Sequence, residues 1–183
     1  MGIEVHRLDE SRRADFYRLH SAANDHNWCF CIAWWLESFE GWDQRTAEQN
    51  RALRESVMDR GDWDGYLLYA DGEPAAWCQC CLRSKLGHLE RRMKLSPDPE
   101  AWVMSCFFVA PAFRGRGLAR ALVHSALADL RVKGVKRVEA YPKRGEGLPA
   151  DEAWTGPESL FVSLGFTLVR EDERISAYGI ELS

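Results

Sequence analysis

Between residues 110 and 123 the chain reads APAFRGRGLARALV, which sets Arg114, Arg116, Arg120 and the glycines Gly115 and Gly117 between an apolar run and a stretch with helical spacing. The chemistry this spacing offers is anion binding. The first amides of a helix have no acceptor inside it, and the aligned peptide dipoles add roughly half a positive charge at that end. A loop leading into the helix can therefore hold a phosphate. Gly115 and Gly117 would let an anion reach the backbone without meeting a Cβ atom. A P-loop is excluded, because no Gly-Lys-[Ser/Thr] follows. A dinucleotide turn is a rival reading: Gly115-x-Gly117 precedes a helix, and Glu139 lies about 20 residues on, where a ribose-binding acid would sit. Against it, Arg120 occupies the third glycine position, and the five residues Ala110 to Arg114 separate the apolar run from Gly115.

Six cysteines, at 29, 31, 78, 80, 81 and 106, are the other chemically distinctive group. Cys29-x-Cys31 and Cys78-x-Cys80-Cys81 have gaps too short for a zinc knuckle, so no metal site is expected. Reduced, packed thiols are expected, with Cys78 and Cys80 on one face of a strand. Cys29 or Cys106 as an acyl-carrying nucleophile would need a base, and no histidine is paired with either in the sequence. Histidines 6, 20, 26, 88 and 124 show neither metal spacing nor an evident partner.

The elements that must position these groups follow from periodicity. IEVHRL (3–8) alternates as a strand does, and Phe16, Leu19 and Ala23 after it fall at helical spacing. The aromatic-rich segment from 24 to 45 has no clear period and reads as irregular or short helical structure near a binding surface. Thr46 and Gln49 form a capping box for a helix to about residue 60, whose apolar positions are Ala52, Leu53, Val57 and Met58. Residues 64 to 82 read as a hairpin about Asp71-Gly72. AWVMSCFFV (101–109), apolar on both faces, reads as a buried central strand. Leu118, Leu122, Ala126 and Leu130 make a helix that ends at Gly134, and VKRVEAY then forms a strand parallel to 101–109. Pro157 reads as the first residue of a short helix carrying Leu160, Phe161 and Leu164 on one side, and a terminal hairpin closes the chain.

The 183 residues, net charge -4, fit one domain spanning 1–183. No apolar run approaches the ~20 residues of a membrane span. The opening MGIEVHRLDE is too charged for a signal peptide, and His6 stands where a myristoylation site needs Ser or Thr. A cytoplasmic protein, with neither membrane nor nucleic acid as partner, is expected. The basic stretches at Lys85–Lys94 and Lys133–Arg144 are short and interrupted, so they read as solvated faces. Mild acidity favours a cationic small molecule or peptide.

CFFVAPAFRGRGLARALV resembles motif A of the GNAT superfamily of N-acetyltransferases: a strand ending Val-x-Pro, then Arg/Gln-x-x-Gly-x-Gly/Ala, matched by Arg114, Gly117 and Ala119. SLFVSLGF (159–166) resembles the later helix of that family, and the element order β-α-α-β-β-β-α-β-α-β-β is also theirs. The resemblance implies an α/β (α+β) fold: a mixed, largely antiparallel sheet with a central splayed parallel strand pair, flanked by about four helices. It implies acetyl-CoA as cosubstrate, with its pyrophosphate on the backbone of Arg114, Gly115, Arg116, Gly117, Leu118 and Ala119. The pantetheine arm would pair with the strand edge at Phe107, Phe108 and Val109, whose amides could also bond the thioester oxygen.

The reaction so implied is direct attack of a neutral amine on the thioester, with a carboxylate as base, and Glu139 is the candidate. It could instead do no more than pair with Arg137. Where many members of the family place a tyrosine acid, against the coenzyme, this chain has Phe161. Tyr141 and Ser159 are the substitute candidates, and water is another proton source. The acceptor, a small-molecule or peptide amine, would lie against the early helices and the terminal hairpin. There Trp28, Trp34, Trp35 and Trp42 could bind it by cation-π contact, assisted by Asp25, Glu37 or Glu40. Dimers are common in the family, so a homodimer is among what the resemblance implies. The departure at Phe161 keeps a second reading open: a protein that binds or senses acyl-CoA without turnover.

Overall fold

The computed structural model describes residues 2–21, 29–145, 148, 152–171 and 175–182. Alternation at the start produces β1 (Ile3–Arg7), and α1 (Arg13–His20) buries the expected Phe16 and Leu19. Helix α2 (Ala47–Asp59) opens on the reciprocal cap: Gln49 N–H donates to Thr46 Oγ1 at 3.2 Å, and Thr46 N–H donates to Gln49 Oε1 at 2.9 Å. Its buried stripe is Asn50, Arg54, Val57 and Met58 rather than one through Ala52 and Leu53. The helix can bury a guanidinium because Asp64 meets it there, as described below. Asp71 and Gly72, both at positive φ, turn β2 (Gly65–Ala70) into β3 (Glu73–Leu82).

A short helix, α3 (Gly87–Arg92), was not expected from the sequence. The stretch Lys85–Lys94 is a solvated face only in part: its lysines and arginines are exposed, while Leu86, His88, Leu89 and Met93 are buried beneath them. Then come β4 (Trp102–Val109), α4 (Leu118–Val132), β5 (Arg137–Ala140), α5 (Glu158–Val162), β6 (Thr167–Arg170) and β7 (Ala177–Glu181). Pro157 is the residue before α5, extended at φ -72° and ψ 140°, not its first helical residue. Between 29 and 45 the chain makes two 3-10 turns, Ala33–Trp35 and Trp42–Gln44, in keeping with its lack of period.

The seven strands form one sheet in the order β1-β2-β3-β4-β5-β7-β6, antiparallel throughout except for β4 and β5. The parallel pair holds only from Trp102↔Val138 to Met104↔Ala140. Beyond Met104, β4 stays paired with β3 as far as Val109 while β5 has ended, so the two strands part. The cause lies in β4: Cys106 pairs with Gln79 and Met104 with the adjacent Cys80, leaving Ser105 as an extra residue. Such a bulge bends its strand and shifts the alternation of faces. Hence Met104 and Phe107, three apart, both pack on the α4 side, while Cys106 and Phe108 pack on the other. Helices α4 and α5 cover the first face, and α1 and α3 the second.

Candidate functional site

The glycine loop opens α4 as the spacing implied. Gly117, at φ 74° and ψ 11°, is the N-cap of α4, and Gly115 lies at φ 72°. L side chains rarely adopt that backbone, and nothing lies within 4 Å of where a Cβ would stand at either glycine. The cap has no side-chain bond, and among the described residues the amides from Gly115 to Arg120 donate to no protein acceptor. Both arginines of the loop are exposed: Arg114 Nε donates to the Val109 carbonyl at 3.0 Å, and the Arg116 guanidinium lies 5.5 Å from the Phe113 ring centre. The result is a row of open amides at a positive helix end, rimmed by two guanidinium groups.

A second set of open amides lies at the splay, beyond a turn in which Phe113 N–H donates to the Ala110 carbonyl and Arg114 N–H to that of Pro111. Ala110 N–H donates to the Ala75 carbonyl on the β3 side, so by alternation the amides of Phe107 and Val109 face the side that β5 has left. The 3-10 turn Ala153–Thr155 lies alongside β4 there. Phe107 packs edge-on against Phe161, ring centres 5.7 Å apart, and Phe161 is fully buried. A hydrocarbon ring therefore sits where a tyrosine acid was the family expectation. Ser159, in the first turn of α5, is exposed.

The bulge is held by a buried polar chain. Ser105 Oγ donates to Gln79 Oε1 at 2.8 Å, and Gln79 Nε2 donates to Asp64 Oδ2 at 2.7 Å and to the Cys31 carbonyl at 3.2 Å. Asp64 Oδ2 also accepts from Trp35 Nε1 at 2.7 Å, and Arg54 Nη1 reaches both carboxylate oxygens, at 2.9 and 3.0 Å. Both side chains of the Arg54–Asp64 pair are 0% exposed. Trp34 Nε1 donates to the Ser105 carbonyl at 3.3 Å. The indoles of Trp34 and Trp35 thus serve the bulge. Trp34 is 2% exposed, its faces met by Phe39, His88 and Trp154. Trp28, like Asp25 and His26, lies outside the described residues.

Glu139 is 6% exposed and sits on β5 opposite Val103, one pair before the parallel ladder ends. Its Oε2 accepts from Arg83 Nη1 at 2.7 Å and from the Tyr141 hydroxyl, and its Oε1 accepts from Arg137 Nε at 3.0 Å. The ion pair with Arg137 is thus present, together with a second one to Arg83 that sequence reasoning missed. Arg83 is itself fixed by Glu90 Oε1 at 3.2 Å and the Ser96 carbonyl. Burial, and then the bond to Glu139, raise the Tyr141 phenol above its ordinary range, so it stays a proton donor at neutral pH. Glu139 and Tyr141 face a cavity of about 110 Å³ lined also by Leu95, Arg170 and Ala177.

All six cysteines are free. Burial pushes the Cys29 thiol up to about 11, and a bond to Cys31 together with burial raises Cys106, so neither is set up as a nucleophile. Among the described residues no cluster of His, Cys, Asp and Glu could hold a metal ion, and no helix is long and apolar enough to cross a membrane.

His20, read above as without partner, bonds its own helix: Nδ1 lies 2.9 Å from the Phe16 carbonyl, against whose ring it also stacks at 3.9 Å. Burial pushes its pKa down from 6.5 to about 3. The unfolded chain therefore binds a proton below about pH 6.5 that the folded chain refuses until about pH 3. The stability due to a neutral His20 is complete above that window and declines as pH falls through it. Melting temperature followed from pH 7 to pH 4 should fall less steeply in His20→Phe than in the wild type; parallel curves would contradict this account.

The sequence matches the family model of the acetyltransferase (GNAT) family over residues 14–154. No curated protein sequence matches it. Its fold matches the PaiA N-acetyltransferase from Thermoplasma acidophilum in complex with coenzyme A at a TM-score of 0.59 and 14% identity, covering 99% of each chain. An acetyltransferase from Thermus thermophilus matches at 0.59 and 17%, covering 100% of this chain and 98% of that one. An N-acetyltransferase from Staphylococcus aureus matches at 0.60 and 13%, covering 100% of both.

Proposed function

Because this chain belongs to the GNAT family of acetyltransferases, we propose that it transfers an acetyl group from acetyl-CoA to a primary amine of a small molecule or peptide. The observation that carries this reading is two sets of open amides, Phe107 and Val109 at the splayed edge of β4 and Gly115 to Ala119 at the N-terminus of α4, joined by a turn whose Ala110, Phe113 and Arg114 amides are internally bonded. The amides of Gly115 to Ala119 would hold the pyrophosphate, with Arg114 and Arg116 beside it. Those of Phe107 and Val109 would hold the pantetheine arm and the thioester oxygen.

In this reading a neutral amine forms the new C–N bond as the C–S bond breaks. The amine's proton passes through water to Glu139, with the Tyr141 hydroxyl as the neighbouring group on the path. The coenzyme thiolate leaves and takes its proton from water, since Phe161 has none to give. Arg83 and Arg137 hold the Glu139 carboxylate in place, whichever rotamer it would otherwise prefer.

The test is a calorimetric titration with acetyl-CoA, free CoA and NADH, followed by a screen of amines for thiol release. Binding of NADH alone would return Glu139 to the role of a ribose ligand and sink the reading. Glu139→Gln should keep its affinity for acetyl-CoA and lose about a hundredfold or more of acceptor-dependent thiol release, the scale of a general base. Full activity in that variant would remove the base assignment. Phe161 supports a second reading, an acyl-CoA sensor without turnover, for which coenzyme binding with no thiol release from any amine is the signature.

A further inference from the structure

Arg170, the last residue of β6, is a cation without a carboxylate. Among the described residues it makes no ion pair, and its one hydrogen bond runs from Nη2 to the Met93 carbonyl at 2.7 Å. The neighbouring Glu171 is taken by Arg144. The bond to Met93, at the end of α3, holds the guanidinium beside the cavity of about 110 Å³ that Glu139 and Tyr141 also line. Its other N–H groups are open donors. Glu139 is in the opposite position: its charge is met twice, by Arg83 at 2.7 Å and by Arg137 at 3.0 Å. The unmatched charge on the cavity wall is therefore that of Arg170.

The cavity exists because β7 offers small residues on this face. Ala177 pairs with Arg170 and Gly179 with Glu139, and a Cβ on Gly179 would come within 3.1 Å of Val169 Cγ2. The register between β6 and β7 slips at Val169, so that Val169 and Arg170 both line the space. It is open to solvent: Val169 is 55% exposed, and Leu95 and Arg170 are half-buried beside it. The walls formed by Leu95, Val169 and Ala177 are apolar. Since a cavity of ~150 Å³ takes a benzene ring, this one takes a carbon chain of about three to five atoms. Strands β5, β7 and β6 are neighbours in the sheet, so the backbones at Tyr141 and Arg170 stand about 10 Å apart at ordinary strand spacing. A chain of that length spans the gap between their side chains. Tyr141, Leu95 and Ala177 belong to the α3 face, opposite Phe161, and Tyr141 follows the end of β5, where β4 and β5 have parted.

We propose that this cavity takes the acceptor substrate, that Arg170 binds a carboxylate on it, and that the acceptor is therefore a short amino acid. The inference rests on the transferase reading for the amine and adds the group that selects it. With the carboxylate on Arg170 and the carbon chain along Leu95, Val169 and Ala177, the amine lies at the Tyr141 end, beside Glu139. Among the described residues Glu139 Oε1 accepts from Arg137 alone, so a lone pair is left there for the water that carries the amine's proton. Arg83 and Arg137 have a second consequence: they cancel a carboxylate that would otherwise repel an acidic ligand. Arg170 touches no reacting atom and acts as a specificity contact.

The probe is 4-aminobutyrate, and its control is 4-aminobutanamide, which keeps the chain and the amine without the charge. The full chain is saturated with acetyl-CoA for kinetics and with CoA for calorimetry. The wild type should prefer the acid over the amide in kcat/KM by about ten- to hundredfold, the worth of a hydrogen bond to a charged group. Arg170→Gln should erase that preference by raising KM for the acid while leaving the amide as it was. Ala177→Leu fills the cavity without touching the bond from Arg170 to Met93, and it should weaken both probes, so it decides the matter if Arg170→Gln fails to fold. A wild type that does not prefer the acid overturns the proposal, as does an unchanged preference in Arg170→Gln or undiminished use of the acid in Ala177→Leu. An equal loss for acid and amide in Arg170→Gln overturns it too, since the arginine then only supports β6. If the wild type releases no thiol with any amine, the transferase reading falls separately and calorimetry decides alone. Binding of 4-aminobutyrate to the CoA-loaded wild type that is lost in Arg170→Gln, or in Ala177→Leu, supports the site, and no binding to the wild type overturns it.

Discussion

Gly117→Glu is expected to abolish coenzyme A binding while leaving the protein folded. Two effects combine at this position. The backbone lies at φ 74°, where any side chain costs about 1–2 kcal/mol. There is open space around the missing Cβ, so no clash is added, and the strain alone is a tolerable share of a domain's total stability of roughly 5–15 kcal/mol. The larger effect is electrostatic. A carboxylate at the N-cap would occupy the space over the open amides of α4 and compete with the pyrophosphate for them, and its charge would repel the ligand where the helix end should attract it. A loss of about 3 kcal/mol or more corresponds to a weakening beyond about a hundredfold. Gly117→Ala, which carries the strain without the charge, should lose far less. Titration of the three proteins with acetyl-CoA separates the two effects. Wild-type affinity in Gly117→Glu would mean that the coenzyme, if bound, does not use this helix end.

Asp64→Ala should be the most damaging single substitution for stability. It strands the Arg54 guanidinium in a site with 0% exposure, where the carboxylate is its ion-pair partner. Breaking a buried pair from one side typically costs about 3–5 kcal/mol, a large part of what holds a domain together. Asp64→Asn should be nearly as harmful. Even with its oxygen turned to the Oδ2 position to accept from Gln79 and Trp35, its amide nitrogen would face Arg54 Nη1 at the Oδ1 position, and the buried guanidinium would lose its counter-charge. Asp64→Leu combined with Arg54→Met should recover part of the loss, because the uncompensated charge is then gone. Urea unfolding is the measurement. A change below about 1 kcal/mol in Asp64→Ala would show that the pair carries little of the stability assigned to it. The same variants report on the site, since Asp64 holds Gln79 and Gln79 holds the Ser105 bulge. Where they remain folded, their affinity for acetyl-CoA should fall together with stability.

What could be read without coordinates was local. The motif A loop, the Thr46–Gln49 cap and the Asp71-Gly72 turn each depend on residues a few positions apart, whose preferences survive in almost any surround. The strand order around Glu139 was accessible because a crossover helix leaves little choice of topology. Arg83 was passed over for the opposite reason. Its principal partner is 56 residues away, and an arginine at the head of a basic stretch looks like any solvated one. A signal was present at Arg54: a charge four residues after Asn50 and three before Val57, on the stripe that the helix buries, implies a buried counter-charge.

The sequence by itself determined that a glycine-opened helix end with free amides follows a central strand, because backbone conformation and unpaired amides at a helix start are properties of the adjoining residues. Periodicity and turn chemistry gave the order of most elements, and the resemblance of the motif A stretch to the GNAT family implied the fold class. Only the tertiary structure decided that Glu139 is gripped by two arginines and a phenol, that the tryptophans Trp34 and Trp35 brace a bulge, and that His20 Nε2 has no partner among the described residues. Each of these depends on which groups from distant parts of the chain are left facing one another after water has gone, and charge and hydrogen-bond energies are set by that surround.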